Sequence, residues 1–325
     1  MKLCVFGAGA IGGHLAARLA AGGAEVSVIA RGAQLGAIQA NGLRVETPTG
    51  TLTAQVRAEA DSGSLGPQDA VLVTVKAPAL ASVAAAIGPL LGPTTPVIFV
   101  MNGIPWWYFH GESSGREDKR LPLIDPGDAV WRAVGPDRTI GGVVYSACTV
   151  IAPGVVQVDT RRDRLIIGEP TGRPSARADA VASVLQAGGL HCEVTDRIRD
   201  AIWTKLTLNI ALGPPCVLTR SPPGAVLSDP TLAATVRSLV GEAVAIAAGM
   251  GCRIANNADS IIEQSRHSQH KPSILQDLEL GRPMEIEALY STPLALAALA
   301  EVDAPTLTLL TALMKQAARA SGLQP

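Results

Sequence analysis

The stretch VFGAGAIGGHLAARLA, residues 5–20, constrains the fold more than any other part of the chain. Gly7, Gly9 and Gly12 stand in G-x-G-x-x-G spacing, directly after an apolar run and at the start of an alanine-rich helical pattern. Each glycine answers a separate steric demand. Gly7 permits a tight turn, Gly9 lets a ligand come close to the backbone, and Gly12 lets strand and helix pack tightly. Ala8, Ala10 and Ile11 complete the loop. The backbone N–H groups at the start of the helix would then face an anion, so the pyrophosphate of a dinucleotide is the ligand expected at residues 7–12.

Residues 1–196 alternate in a way that supports this. Short β-branched runs at KLCVFGA, AEVSVIAR, AVLVTVKA and PVIFVMNG are separated in part by alanine-rich helical segments such as 10–22 and 79–90. That alternation predicts an α/β domain with a doubly wound, Rossmann-type parallel sheet. Two segments break it. LRVETPTGTLTAQVRA reads as a hairpin, and GGVVYSACTVIAPGVVQVDT as a second one turning at Ala152-Pro153-Gly154, both expected as antiparallel additions to the sheet edge. From Asp196 the pattern becomes helical throughout, with Asp229-Pro230 and Asp303 before Pro305 marking two helix starts. The expected division is a dinucleotide-binding domain over 1–196 and an all-α domain over 197–325. The polar loop 111–127 is expected to be mobile.

Bulk properties narrow the partner. A net charge of −1 over 325 residues carries no electrostatic footprint for nucleic acid or an anionic membrane, which leaves a small molecule. Five scattered cysteines without a C-x-x-C pair suit a reducing compartment and disfavour zinc, each being expected as a small buried hydrophobe. The histidines form no ligand-spaced set, so no metal is expected. The chain opens directly into KLCVFGAGA, with no basic leader, and Arg237, Glu242 and Glu301 interrupt the longest apolar runs. A cytoplasmic protein without a membrane span is the expectation.

Two further features bear on chemistry. The second strand ends in VSVIARG, which offers Arg31 and no carboxylate, while Glu25 lies at the wrong end. Arg31 favours NADP(H) over NAD, against the ordinary alternative of an exposed loop arginine. In AIWTKLTLNIALGPP, Lys205 and Asn209 fall one turn apart on a face otherwise flanked by Ile202, Leu206, Leu208 and Leu212. They are either a snorkelling lysine beside a helix-packing asparagine or a pair set in a cleft.

The glycine loop, VKA at 75–77, NG at 102–103, WTKLTLN at 203–209, SILQD at 273–277 and MEIEAL at 284–289 occur in the order seen in the ketopantoate reductases (2-dehydropantoate 2-reductases). The chain resembles that family over nearly its whole length. The resemblance implies an N-terminal Rossmann domain that binds NADPH and a C-terminal helical domain of the 6-phosphogluconate-dehydrogenase-like kind. It implies reduction of 2-dehydropantoate to (R)-pantoate, on the route to pantothenate and coenzyme A, with closure around residues 190–200. Carried onto this chain, it makes Lys205 catalytic and places Glu285 over the substrate and the nicotinamide end. Asn209 and Ser273 become substrate-binding, and Asn102 lies between cofactor and substrate. Arg31 and Lys76 serve the phosphate and ribose region, and Ala147 and Cys148 lie in a cofactor-contacting hairpin. The chemistry is coherent: hydride addition leaves negative charge on a carbonyl oxygen, and Lys205 offers both a cation and a proton.

Two departures concern the substrate. The family often has a second asparagine one turn after the first, where this chain has Gly213 before Pro214 and Pro215, so a polar contact is expected to be missing. Trp106, Trp107, Tyr108 and Phe109 follow the NG pair and read first as packing, second as pocket wall. Reduction of another 2-oxo acid or an imine, or a non-catalytic NADP(H)-sensing role, stays open. So does a homodimer.

Overall fold

The computed structural model describes residues 1–112, 115–159 and 163–323. The chain divides into two compact units, residues 1–101 with 105–198 and residues 102–104 with 199–325. The short segment 102–104 therefore belongs with the helices, which the expected division at 196/197 did not anticipate.

The first unit holds the strands β1 (Lys2–Phe6), β2 (Glu25–Ile29), β3 (Leu43–Thr47), β4 (Gly50–Ala54), β5 (Arg57–Glu59), β6 (Ala70–Val73), β7 (Val97–Val100), β8 (Thr139–Tyr145), β9 (Cys148–Ala152), β10 (Val155–Val158), β11 (Arg164–Gly168) and β12 (His191–Val194). Its helices are α1 (Ala10–Ala21), α2 (Gly32–Asn41), α3 (Leu80–Ala86), α4 (Ala129–Val134) and α5 (Ala176–Ala187). An eight-stranded sheet runs in the order β12-β11-β8-β7-β6-β1-β2-β5. Its pairs are parallel except β11 against β8. β6 and β7 are buried along their whole length, as continuous apolar runs in a parallel sheet should be.

The two hairpins form as expected but not at the edge of that sheet. β3–β4 and β9–β10 join through a parallel β3/β10 pairing into a four-stranded sheet of their own, in the order β4-β3-β10-β9. This sheet lies against α1, where Ala17 packs with Val45, Ala54, Val156 and Val158. Small residues on that face of α1 permit the approach: a Cβ on Gly13 would already stand 3.0 Å from Val156 Cγ2. The larger cluster, including Leu3, Val5, Leu15, Leu19, Val28, Leu72 and Ile98, packs the main sheet.

Trp106, Trp107, Tyr108 and Phe109 are all buried in this unit, with Trp106 edge-on to Phe99 and to Trp131 at centroid distances of 5.4 and 5.6 Å. Packing is their role. The described part of loop 111–127 is held at several points: Asp125 accepts from the Val130 and Trp131 N–H groups at 2.9 Å, and Arg120 stacks on Trp131. None of the five cysteines is in a disulfide. Burial pushes the thiols of Cys4, Cys192 and Cys216 up to about 12, which removes them as nucleophiles.

The second unit contains α6 (Ile198–Thr219, begun in the first unit), α7 (Pro223–Leu227), α8 (Pro230–Gly249), α9 (Ala258–Ser265), α10 (Ser273–Glu279), α11 (Thr292–Leu299) and α12 (Pro305–Ala320). A π-helical turn, Glu287–Ser291, runs directly into α11. Ala211 and Leu212 of α6 pack with Leu227, Val236, Val240, Ile261 and Ile262. Asp229 caps α8 as expected, accepting from Thr231 and Leu232. Asp303 does not cap α12; Glu242 of α8 does, accepting from the Thr306 and Leu307 N–H groups at 2.9 and 2.8 Å. α8 is long and apolar enough to cross a membrane by length and composition, so its charges do not exclude a span as expected. Its Val236, Leu239, Val240, Ala243, Ile246 and Ala247 are buried within the unit.

Candidate active site

The glycine loop of the first unit is shaped by sterics the sequence announces. Gly7 adopts a φ of +107°, and a Cβ on Gly12 would stand 1.9 Å from the Gly7 carbonyl oxygen. A Cβ on Gly9 meets nothing within 4 Å, so the space in front of the loop is open. Gly9 is the N-cap of α1 and supplies no side-chain cap, which leaves the first-turn N–H groups around Ala10, Ile11 and Gly12 for an anion. These features fit a dinucleotide pyrophosphate.

The loop is braced by two side chains that sequence reasoning missed. Thr74 donates from Oγ1 to the Gly7 carbonyl at 2.7 Å. Gln34 donates from Nε2 to the Ala8 carbonyl at 2.8 Å, and its Oε1 accepts from the Gly154 N–H at 3.0 Å. The position of Thr74 at the carboxyl end of β6, two residues before Lys76, was the available signal; nothing local marks Gln34.

Arg31 follows β2 as the exposed N-cap of α2, and Lys76 is exposed just beyond β6. Both stand at carboxyl ends of neighbouring parts of the sheet, where open α/β sheets gather ligands. Cys148 begins β9 and packs, half-buried, against the small cluster around Ala17.

In the second unit, Lys205, Asn209 and Gly213 repeat every fourth residue along α6 and share one face. Lys205 Nζ donates to Asn102 Oδ1 at 2.7 Å, joining residues 103 positions apart. Asn102 is held by its own neighbours: Gly103 takes a φ of +81° with its Cα against the Ala288 backbone, and the Ile104 N–H donates to the Ala288 carbonyl at 3.0 Å. Ala288 belongs to the π turn, and Glu285, buried at 5% exposure, immediately precedes that turn's helix. Ser273 is exposed at the first position of α10.

The structure thus brings Asn102 and Lys205 into direct contact. It also supplies a residue no motif marked. Tyr290 of the π turn is fully buried and donates from its hydroxyl to the Asn209 carbonyl at 3.3 Å. Burial, with Cys216 and Glu285 nearby, holds its phenol well above the usual range, so it stays a neutral donor. Among the described residues no cluster of side chains could hold a metal ion.

Comparison with known proteins gives the family of the chain. Residues 3–172 match the family described as "Ketopantoate reductase PanE/ApbA", and residues 197–318 match "Ketopantoate reductase PanE/ApbA C terminal". The chain belongs to the ketopantoate reductase family. A 2-dehydropantoate 2-reductase of Mesorhizobium japonicum is 44% identical over 320 residues, covering 98% of each chain. A crystal structure from Ralstonia solanacearum, assigned as a ketopantoate reductase, superposes with a TM-score of 0.92 at 39% identity over 99% of each chain. A 2-dehydropantoate 2-reductase from Geobacter metallireducens gives 0.84 at 29% identity, over 98% of this chain and all of the other. Ketopantoate reductases therefore share both halves of this chain.

Proposed function

We propose that this chain reduces 2-dehydropantoate to pantoate with NADPH. The observation that carries the proposal is the Lys205–Asn102 hydrogen bond, 2.7 Å between two residues that the ketopantoate reductase motifs single out. When bound, NADPH supplies the hydride. Gly7, Ala8, Gly9, Ala10, Ile11 and Gly12 would take its pyrophosphate and Arg31 and Lys76 its phosphate and ribose end. Asn102, Cys148 and Glu285 would be its further contacts.

Asn102 holds the Lys205 ammonium in one place. From there Lys205 stabilises the negative charge that develops on the carbonyl oxygen and delivers a proton to it. Asn209 and Ser273 bind the carboxylate and hydroxyl of the substrate, and Glu285 accepts from a substrate hydroxyl.

The experiment is NADPH absorbance over time with 2-dehydropantoate, beside NADH and a panel of other 2-oxo acids. Rapid oxidation of NADPH with 2-dehydropantoate is expected. Lys205→Ala should lower kcat by roughly 100- to 1,000-fold, as loss of a group facing a developing oxyanion does, with NADPH affinity unchanged. Turnover on a different 2-oxo acid alone would replace the substrate assignment. Tight NADPH binding with no turnover on any would favour a sensing role. An unaffected kcat in Lys205→Ala would sink the mechanism.

A further inference from the structure

The face of α6 that carries Lys205 and Asn209 continues to position 213, where a side chain would extend the row by one more turn. The residue there is glycine, and the space is filled. An ideal Cβ on Gly213 would stand 2.1 Å from Tyr290 Oη and 3.2 Å from Cζ of the same ring, so no side chain fits while the phenol is in place. The hydroxyl that occupies the position donates to the Asn209 carbonyl. The position that the sequence presents as lacking a polar side chain is taken up by a hydroxyl from another element.

The backbone at this point needs support. Pro214 and Pro215 lie inside α6 and have no N–H, so the carbonyls of Ile210 and Ala211 lose their ordinary helical donors. Asn209 is the last residue before that interrupted stretch. A donor fixed to its carbonyl from outside the helix restrains the backbone from which its side chain projects. Tyr290 is suited to this because its ring is fully buried and its hydroxyl stays protonated. The same π turn accepts the Ile104 N–H, two residues after Asn102, on its Ala288 carbonyl. One element therefore bonds Asn209 directly and the short segment that carries Asn102.

We propose that Tyr290 is a positioning residue for Asn209, with Gly213 kept free of a side chain so that the phenol hydroxyl can reach the helix. The proposal rests on the assignment of Asn209 to substrate binding. In it, Tyr290 touches neither substrate nor cofactor; it acts on the affinity for the 2-oxo acid through the backbone of Asn209.

The test compares KM and kcat in Tyr290→Phe, Asn209→Ala and the double variant, with 2-dehydropantoate and NADPH. Tyr290→Phe keeps the buried ring and removes only the donor. Its KM for the 2-oxo acid should rise about fivefold, the effect of one ordinary hydrogen bond, with the KM for NADPH and kcat little changed. Asn209→Ala should raise the same KM, and adding Tyr290→Phe to it should raise it no further. Gly213→Ala should impair the protein alone; combined with Tyr290→Phe it should regain stability and kcat while KM stays at the Tyr290→Phe value, because the atom at 2.1 Å is gone. An unchanged KM in Tyr290→Phe, beside a raised KM in Asn209→Ala, would overturn the proposal and leave the assignment of Asn209 standing. An unchanged KM in Asn209→Ala would overturn both. Equal effects of Tyr290→Phe with and without Asn209 would show that the hydroxyl acts by another route and overturn the proposal.

Discussion

Thr74 shows what a single residue contributes to a site built largely of backbone. Its hydroxyl bonds the Gly7 carbonyl, and a Cβ on Gly12 would stand 2.4 Å from Thr74 Oγ1 itself. The tight loop and its brace are thus one steric unit. Thr74→Val keeps the shape and removes the bond; the NADPH dissociation constant, read by fluorescence titration, should rise about three- to tenfold with the fold retained. The glycines of this loop were legible because their demands are met by neighbours in the chain. Thr74 was not, since its bond closes over 67 residues. Gly213 sharpens the same contrast: a departure legible as a loss is, in space, the room Tyr290 occupies. Trp106 to Phe109 resolved the other way, with an unusual sequence proving to be ordinary packing.

Among the elements, helix ends divide the legible from the illegible. Asp229 caps the helix it precedes, a local pattern that the sequence states outright. The cap of α12 comes instead from Glu242, whose two carboxylate oxygens each take a backbone N–H. Glu242→Ala should destabilise the protein by about 1–3 kcal/mol, measured by denaturant unfolding, because both donors lose a charged acceptor. Asp303→Ala should cost much less. The hairpins tell a similar story. Alternation and a Pro-Gly turn predict that β9 and β10 pair, but the pattern says nothing of which further strand joins them. The parallel β3/β10 pairing that makes a second sheet is set by packing on α1. The π turn was also invisible, since it departs from an α-helix by the register of its hydrogen bonds and not by composition.

At the scale of the whole chain, one partly buried carboxylate contributes to the response to acid. His14 on α1 lies 2.7 Å from Asp163, the residue that leads into β11, with Arg18 3.8 Å from the same carboxylate. Burial alone would raise the Asp163 pKa, but the close approach of the His14 ring and of the Arg18 guanidinium outweighs it and holds the carboxyl below its usual value. A depressed folded-state pKa adds stability that is complete above the unfolded value, about 4, and is lost as pH falls through the folded value. Asp163→Asn should therefore lower stability at neutral pH and flatten its decline below about pH 4, as measured by unfolding across a pH series. The sequence by itself determined the fold class, the glycine loop and the change to an all-helical second half, and it set Lys205 and Asn209 on one helix face with their role open. Those features rest on periodicity and on steric rules that act within a few residues. Only the tertiary structure decided that residues 102–104 belong with the helices, that Asn102 meets Lys205, and that Tyr290 stands where position 213 has no side chain. Each depends on chain segments far apart in sequence, whose approach is fixed by packing and hydrogen bonding that no local pattern encodes.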